Sequence, residues 1–230
     1  MSFNHRSYEK ELLDRQDIPF ADIQRNMQEL DFINKNLGGH QITIKGLKKI
    51  AGKSAGNLRI AEIGCGGGNN LRVVQQWCKR NKIKVELIGI DINPECISFA
   101  KAQASNEGIH FICSDYREVV FTSLPNVIFS SLFCHHFNDD ELVLMMQWMH
   151  RNSAIGFFIN DLHRHPLAYQ SIRVLTGLFS KSYLVKNDAP LSVKRGFSRK
   201  EWEQIFERAG ITSFQITWQW AFRWLILCRK

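Results

Sequence analysis

The chain has 230 residues, 44% of them hydrophobic, which suits one generous globular domain and excludes disorder at domain scale. Its net charge of +8 and pI near 9.3 raise the question of an anionic partner. The basic residues, however, gather only loosely over 45–53, 79–84 and 194–200, without blocks of like charge or an arginine–glycine tract, so the primary reading is a solvated basic surface.

The six cysteines form no CxxC pair and no disulfide framework. Several lie in apolar runs such as 111–113 and 225–228, as small buried hydrophobes of a reducing compartment do. The polar stretch 1–24 has no signal-peptide character, and no window is apolar enough to cross a bilayer. The expectation is a cytoplasmic protein.

Residues 1–57 read as an N-terminal helical cap with a break at Gly38-Gly39. From residue 58 onward, strand-length apolar runs alternate with amphipathic helices, the pattern of a parallel sheet covered on both faces. Residues 58–63 predict the first strand, 70–80 a helix, and 85–90 the second strand, ended by Asp91. Asn93-Pro94 opens the next helix as N-cap and first turn. Strands follow at 109–113, 127–132 and 154–159, the last leading into Asn160-Asp161.

Between the last two of these strands, Asn138 and Glu141 form a capping box. They precede a helix whose Leu142, Met145, Met146 and Met149 repeat at helical spacing, as core residues. Ser198 and Glu201 form a second box, and Phe197 is placed to staple onto Trp202. Residues 214–220 and 222–228 predict a C-terminal antiparallel hairpin. The expected fold is α/β, a Rossmann-like, seven-stranded, mostly parallel sheet over 58–230. Residues 162–197 form an insertion where such folds bind ligands. Its amphipathic part, 167–184, reads as a substrate lid; the alternative is a segment at a membrane surface.

The chemistry centres on Glu62-Ile-Gly-Cys-Gly-Gly-Gly68. Glycines 64, 66, 67 and 68 let the backbone turn sharply and bring its N–H groups to a ligand. A dinucleotide enzyme shares that feature, but its G-x-G-x-x-G spacing fails here because Asn69 takes the third glycine position. A carboxylate at Glu62 would repel a pyrophosphate and attract a cationic ligand. Asp91, at the second strand's end, is placed for ribose hydroxyls, and Asp115, after the third strand, for an adenine amino group.

On these residues the chain resembles the class I S-adenosylmethionine-dependent methyltransferases: 58–71, Gly89-Ile-Asp91 and 111–116 look like their motif I, acidic post-I position and motif II. Further stretches are similar to a bacterial group related to ubiquinone and menaquinone biosynthesis methyltransferases, found beside type III polyketide synthases. These are 25–34 with Gly38-Gly39, Cys134-His-His-Phe137, Asn160-Asp161-Leu162 and 188–195.

The resemblance implies S-adenosylmethionine as cofactor. Glu62, Gly64 and Gly66 would then hold the methionine moiety, Asp91 the ribose, and Asp115 with Tyr116 the adenine. Ser131 and Leu132 would flank the methyl group, and Cys65, Asn70 and Ile92 complete the binding set. It also implies a small acceptor of quinone, phenolic or polyketide type. Transfer needs the nucleophile held in line in a water-poor pocket. His135 or His136 is the natural base, with Asp161 and His163 lining the substrate. Only Asp161 and Asn160 offer themselves as hard metal ligands, so no metal is expected. The rival readings are a nucleic-acid methyltransferase, a non-catalytic cofactor-binding scaffold and a dehydrogenase. Against the first, Ser130-Ser-Leu-Phe-Cys134 stands where base-methylating enzymes carry an Asn/Asp-Pro-Pro-aromatic run.

Overall fold

A computed structural model describes residues 3–15, 17–52 and 57–230. Lys53, in the first basic group, lies outside the described residues. Seven strands, β1 (Leu58–Ile63), β2 (Val85–Asp91), β3 (Ile109–Cys113), β4 (Val127–Ser131), β5 (Gly156–Leu162), β6 (Phe214–Gln219) and β7 (Arg223–Arg229), form one sheet in the order β3-β2-β1-β4-β5-β7-β6. The first five run parallel; β7 enters antiparallel to β5, and β6 pairs antiparallel with β7. Chain order reverses between β1 and β4, and the C-terminal ends on either side of that reversal are where such sheets take ligands.

Helices cover both faces. On one, α2 (Gly39–Ala51), α3 (Asn69–Arg80) and α4 (Pro94–Ala102) pack through Leu47, Ile50, Leu71, Val74 and Ile97. Helix α2 approaches so closely that a Cβ at Gly46 would stand 2.6 Å from the Phe158 ring. On the other face, α5 (Asp139–Asn152) buries Met145, Met146 and Met149 completely, and α8 (Arg199–Arg208) buries Trp202 and Phe206. Both capping boxes form, Asn93 caps α4, and the Phe197 and Trp202 rings lie 4.0 Å apart between centroids.

The structure departs from the sequence reading at several points. Strand β5 starts at Gly156 because Ala154 and Ile155 spend their N–H groups on the loop carbonyls of Pro125 and Asn126. Cys113, read as a buried hydrophobe, is exposed at the end of edge strand β3. The stretch 167–184 is not continuous: α6 (Pro166–Phe179) stops at Ser180, and Ser182 caps a new helix, α7 (Tyr183–Arg195). In the N-terminal segment, α1 (Phe20–Asn36) and α2 are separated at Gly38, whose φ of +78° is left-handed.

The N-terminal segment is tied to α7 and to the turn after β4. The Arg6 guanidinium donates to the carbonyls of Arg195 and Phe137 and pairs with Asp139, while the Asp188 carboxylate accepts from the Leu12 and Leu13 amides. Among the described residues, no helix is long and apolar enough to cross a membrane.

Candidate active site

The glycine turn follows β1 directly. Gly64, Gly66 and Gly68 all have positive φ, which a side chain would strain. A Cβ at Gly64 would also lie 2.3 Å from the Phe133 ring, so only glycine fits that contact. Met27 of α1 reaches over Gly66 and Gly67 from the other side.

Glu62 is buried beneath this turn. Its Oε1 accepts from Asn70 Nδ2 at 3.0 Å, whereas its Oε2 is buried with no hydrogen-bond partner. Burial pushes the Glu62 carboxyl well above the usual range, opposed by the Asn70 hydrogen bond and reinforced by Asp91. A buried carboxyl oxygen left without a partner beneath the glycine turn is a site that a cation can satisfy, and the sulfonium and ammonium of S-adenosylmethionine fit it. Asn70 serves there as the partner that holds Glu62.

Asp91 accepts from the Gly66 amide at 2.8 Å through Oδ2 and from the Asn93 amide at 2.9 Å through Oδ1, and burial raises its pKa. Beside it opens a cavity of about 190 Å³ lined by Gly64, Asp91, Ile92, Asp115, Tyr116 and Phe133 among others. Five of the predicted cofactor residues thus face one crevice. The Asp115 carboxylate is engaged by Arg117, which holds it below the usual range, and Tyr116 packs edge-on against Phe137 and Trp148. The Cys65 side chain turns away into the core, where its Sγ fills the space a Gly89 Cβ would need. The Ser131 hydroxyl accepts from Asn160 Nδ2 at 3.2 Å.

A larger cavity, about 410 Å³, lies beyond the ends of β4 and β5. Leu30, Ile33, Ile172, Leu175 and Val185 from α1, α6 and α7 roof it with apolar surface, and the hairpin loop at Trp220 and Phe222 closes one side. Leu132, His135 and His136 form its floor. Leu132 takes φ +54°, uncommon for a branched side chain, at the step between the two cavities.

His135 is buried, with Nδ1 2.8 Å from Asp161 Oδ1. Asp161 is fully buried; it also accepts from the Phe133, Cys134 and Leu162 amides. Burial raises its pKa, but His135 and these hydrogen bonds outweigh that and hold it below the usual range. Asp161, expected from the sequence to line the substrate, is instead fully buried and stands behind His135. His163 does not line it either. Its Nδ1 accepts from Trp218 Nε1 at 3.3 Å and its ring packs on Trp224, toward the hairpin. His165 caps α6.

Glu11 was missed by sequence reasoning. It is buried in the cavity wall, its Oε1 3.7 Å from His135 Nε2 and its Oε2 3.9 Å from His136 Nε2. Ser192 donates to it at 2.7 Å. Nothing in the local pattern around a lone glutamate at position 11 marks it as a site residue.

Residues 60–156 match the family model described as a methyltransferase domain. Among solved structures, the plantazolicin methyltransferase BpumL in complex with SAH is similar with a TM-score of 0.67 and 16% identity, over 95% of this chain and 92% of that one. The magnesium protoporphyrin IX methyltransferase ChlM from Synechocystis PCC 6803 with bound SAH is similar with a TM-score of 0.56 and 15% identity, over 86% and 87%. These likenesses establish the Rossmann-like fold. No curated protein sequence matches the chain.

Proposed function

We propose that this chain is an S-adenosylmethionine-dependent methyltransferase acting on a small, apolar, aromatic acceptor. The observation that carries the reading is the pairing of two cavities across Leu132 and Phe133. One is lined by Gly64, Asp91 and Asp115, with the unpartnered Glu62 Oε2 buried beneath the adjoining glycine turn; the other is an apolar chamber with a histidine at its floor. The cofactor supplies a methyl group on a sulfonium, whose carbon–sulfur bond breaks as the bond to the acceptor forms.

The chain's own residues bind, orient and dry the reactants. Glu62 would hold the positive end of the cofactor and Asp91 its hydroxyls, while the roof of α1, α6 and α7 excludes water from the chamber. At an oxygen acceptor, His135 Nε2 takes the leaving proton. Asp161 fixes Nδ1 as the N–H end and stabilises the imidazolium. The size and apolar lining of the chamber favour a phenolic, quinone-like or polyketide-derived acceptor.

The test is incubation with methyl-labelled S-adenosylmethionine and extracts of the source cell, followed by mass spectrometry. Label in a lipid-soluble product supports the reading; label confined to RNA or protein overturns it.

A second reading concerns α6. Leu167, Val174, Leu178 and Phe179 are 62%, 55%, 72% and 77% exposed on it, beside Arg173 and near the cavity mouth. Such a face suits docking on an anionic bilayer from which a lipid-like acceptor could enter. Sedimentation with anionic vesicles that is lost in Arg173→Glu/Lys181→Glu supports it, and equal sedimentation of both proteins ends it.

A further inference from the structure

We infer that His135, His136 and Glu11 form a binding site for a divalent transition-metal ion of the zinc class at the floor of the apolar cavity. One ligand atom from each lies within 4.8 Å of the others. Sequence reasoning found only Asp161 and Asn160 as ligand candidates because Glu11 stands far upstream in the chain.

Three observations converge. Each histidine gives its Nδ1 to a carboxylate: His135 to Asp161 at 2.8 Å and His136 to Asp14 at 3.2 Å. A carboxylate there calls for an N–H, which leaves Nε2 of the neutral ring as a lone pair. This carboxylate–histidine arrangement is the one that orients imidazoles on metals. Both Nε2 atoms then face the buried Glu11 carboxylate, an acceptor set against acceptors.

The distances are 3.7 and 3.9 Å, beyond hydrogen-bond reach. They exceed by about 0.3–0.6 Å the roughly 3.3–3.4 Å that separates ligand atoms around a tetrahedral ion with bonds of about 2.0–2.1 Å, so small side-chain shifts would close the set around an ion.

Charge agrees. The carboxylates of Glu11, Asp14, Asp161 and Asp188 meet around the two rings, against the guanidiniums of Arg195 and Arg223. Arg6 is committed to Asp139. An acid-rich setting of this kind suits a divalent cation. Two nitrogen donors and one carboxylate select zinc-like ions over magnesium or calcium. All three ligands line the cavity, so a fourth position faces the acceptor, where an oxygen bound to the ion would be acidified. The ion takes the His135 lone pair that proton acceptance uses, so the two are alternative ways of activating one oxygen.

The site stands independently of the methyl-transfer reading, and its test reads binding alone. Untagged full-length protein is dialysed against a chelator, then titrated with Zn²⁺ by calorimetry and with Co²⁺ by visible absorption. Expected is one ion per chain, with the intense visible bands of a four- or five-coordinate cobalt site, displaced by zinc. Affinity should fall with pH through the imidazole range as protons compete. Glu11→Gln and His136→Ala should each weaken binding at least tenfold, and Asp14→Asn about tenfold through the outer shell. Circular dichroism and SAH binding report whether each variant is folded. No stoichiometric ion in the wild type, or equal binding in folded Glu11→Gln and His136→Ala, overturns the site. Wild-type protein that binds zinc but not SAH would instead count against the methyltransferase reading alone.

Discussion

His135 Nδ1 lies 2.8 Å from Asp161 Oδ1, and the other oxygen of the same carboxylate holds the backbone of the turn that carries His135, through the Phe133 and Cys134 amides. One buried side chain on β5 thereby sets both the tautomer of the histidine and the place where its loop leaves β4. Asp161→Asn keeps the size but presents an amide that no longer enforces N–H at Nδ1. Turnover on an oxygen acceptor should fall about 10²- to 10⁴-fold, the range of a lost acid–base contribution. Cofactor affinity, measured by calorimetry with SAH, should stay within a few fold. A comparable loss in affinity and turnover would mean that Asp161 only holds the loop.

Glu62 carries a testable coupling between cofactor and protons. Burial raises its pKa well above the usual carboxylate range, and a cation arriving at Oε2 favours the ionised form. Binding of S-adenosylmethionine should therefore release protons, visible as a binding enthalpy that varies with the ionisation enthalpy of the buffer. Glu62→Gln should abolish the variation and weaken binding by about 1–3 kcal/mol, the worth of a charge-assisted contact. A buffer-independent enthalpy in the wild type would sink the idea.

Gly64 and Phe133 offer a steric test of the step between the cavities. In Gly64→Ala the new Cβ meets the Phe133 ring at 2.3 Å and sits at φ +68°, so the turn must move. The substitution should destabilise the chain by about 1–2 kcal/mol from the left-handed backbone alone, with the clash added to it. In Gly64→Ala/Phe133→Ala the clash disappears while the backbone cost remains. The double variant should thus be less destabilised than the two single changes predict, by about 0.5–3 kcal/mol for residues in contact. Additive denaturation midpoints would place Phe133 elsewhere.

The sheet was legible from sequence because its signals are local. Apolar runs of strand length, the Asn93, Asn138 and Ser198 caps and the glycine turn each span a few residues, and all formed as expected. The acids at the ends of β1, β2 and β3 could also be placed, since parallel strands put successive C-terminal ends side by side. What local pattern could not reveal was pairing across distance. Glu11 and Asp14 meet the histidines only because Arg6 and Asp188 fasten the N-terminal segment across α7. Asp161 is the penultimate residue of β5 and His163 lies just past the strand's end, so one supports the floor of the cavity and the other turns toward the hairpin.

That departure gives His163 a measurable pH signature. Its Nδ1 accepts from the Trp218 indole, so the ring must be unprotonated there, and burial lowers its pKa to about 4, helped by His165 and Arg164. The unfolded chain takes up this proton near the ordinary pKa of about 6.5. Stability from a neutral His163 is therefore fully present above about pH 6.5 and is lost as pH falls toward 4. Because the ring is half-buried, solvent screening cuts the effect to about 1–2 kcal/mol. Asp14, held at about 2 against burial by His136, and Asp161, also depressed, lose their contributions only below the ordinary Asp value near 3.8, outside this window. Urea unfolding at pH 7.5 and 4.5 should show His163→Gln losing about 1–2 kcal/mol less than the wild type over that interval. Equal losses in the two proteins would show that the Trp218 contact does not keep the ring neutral.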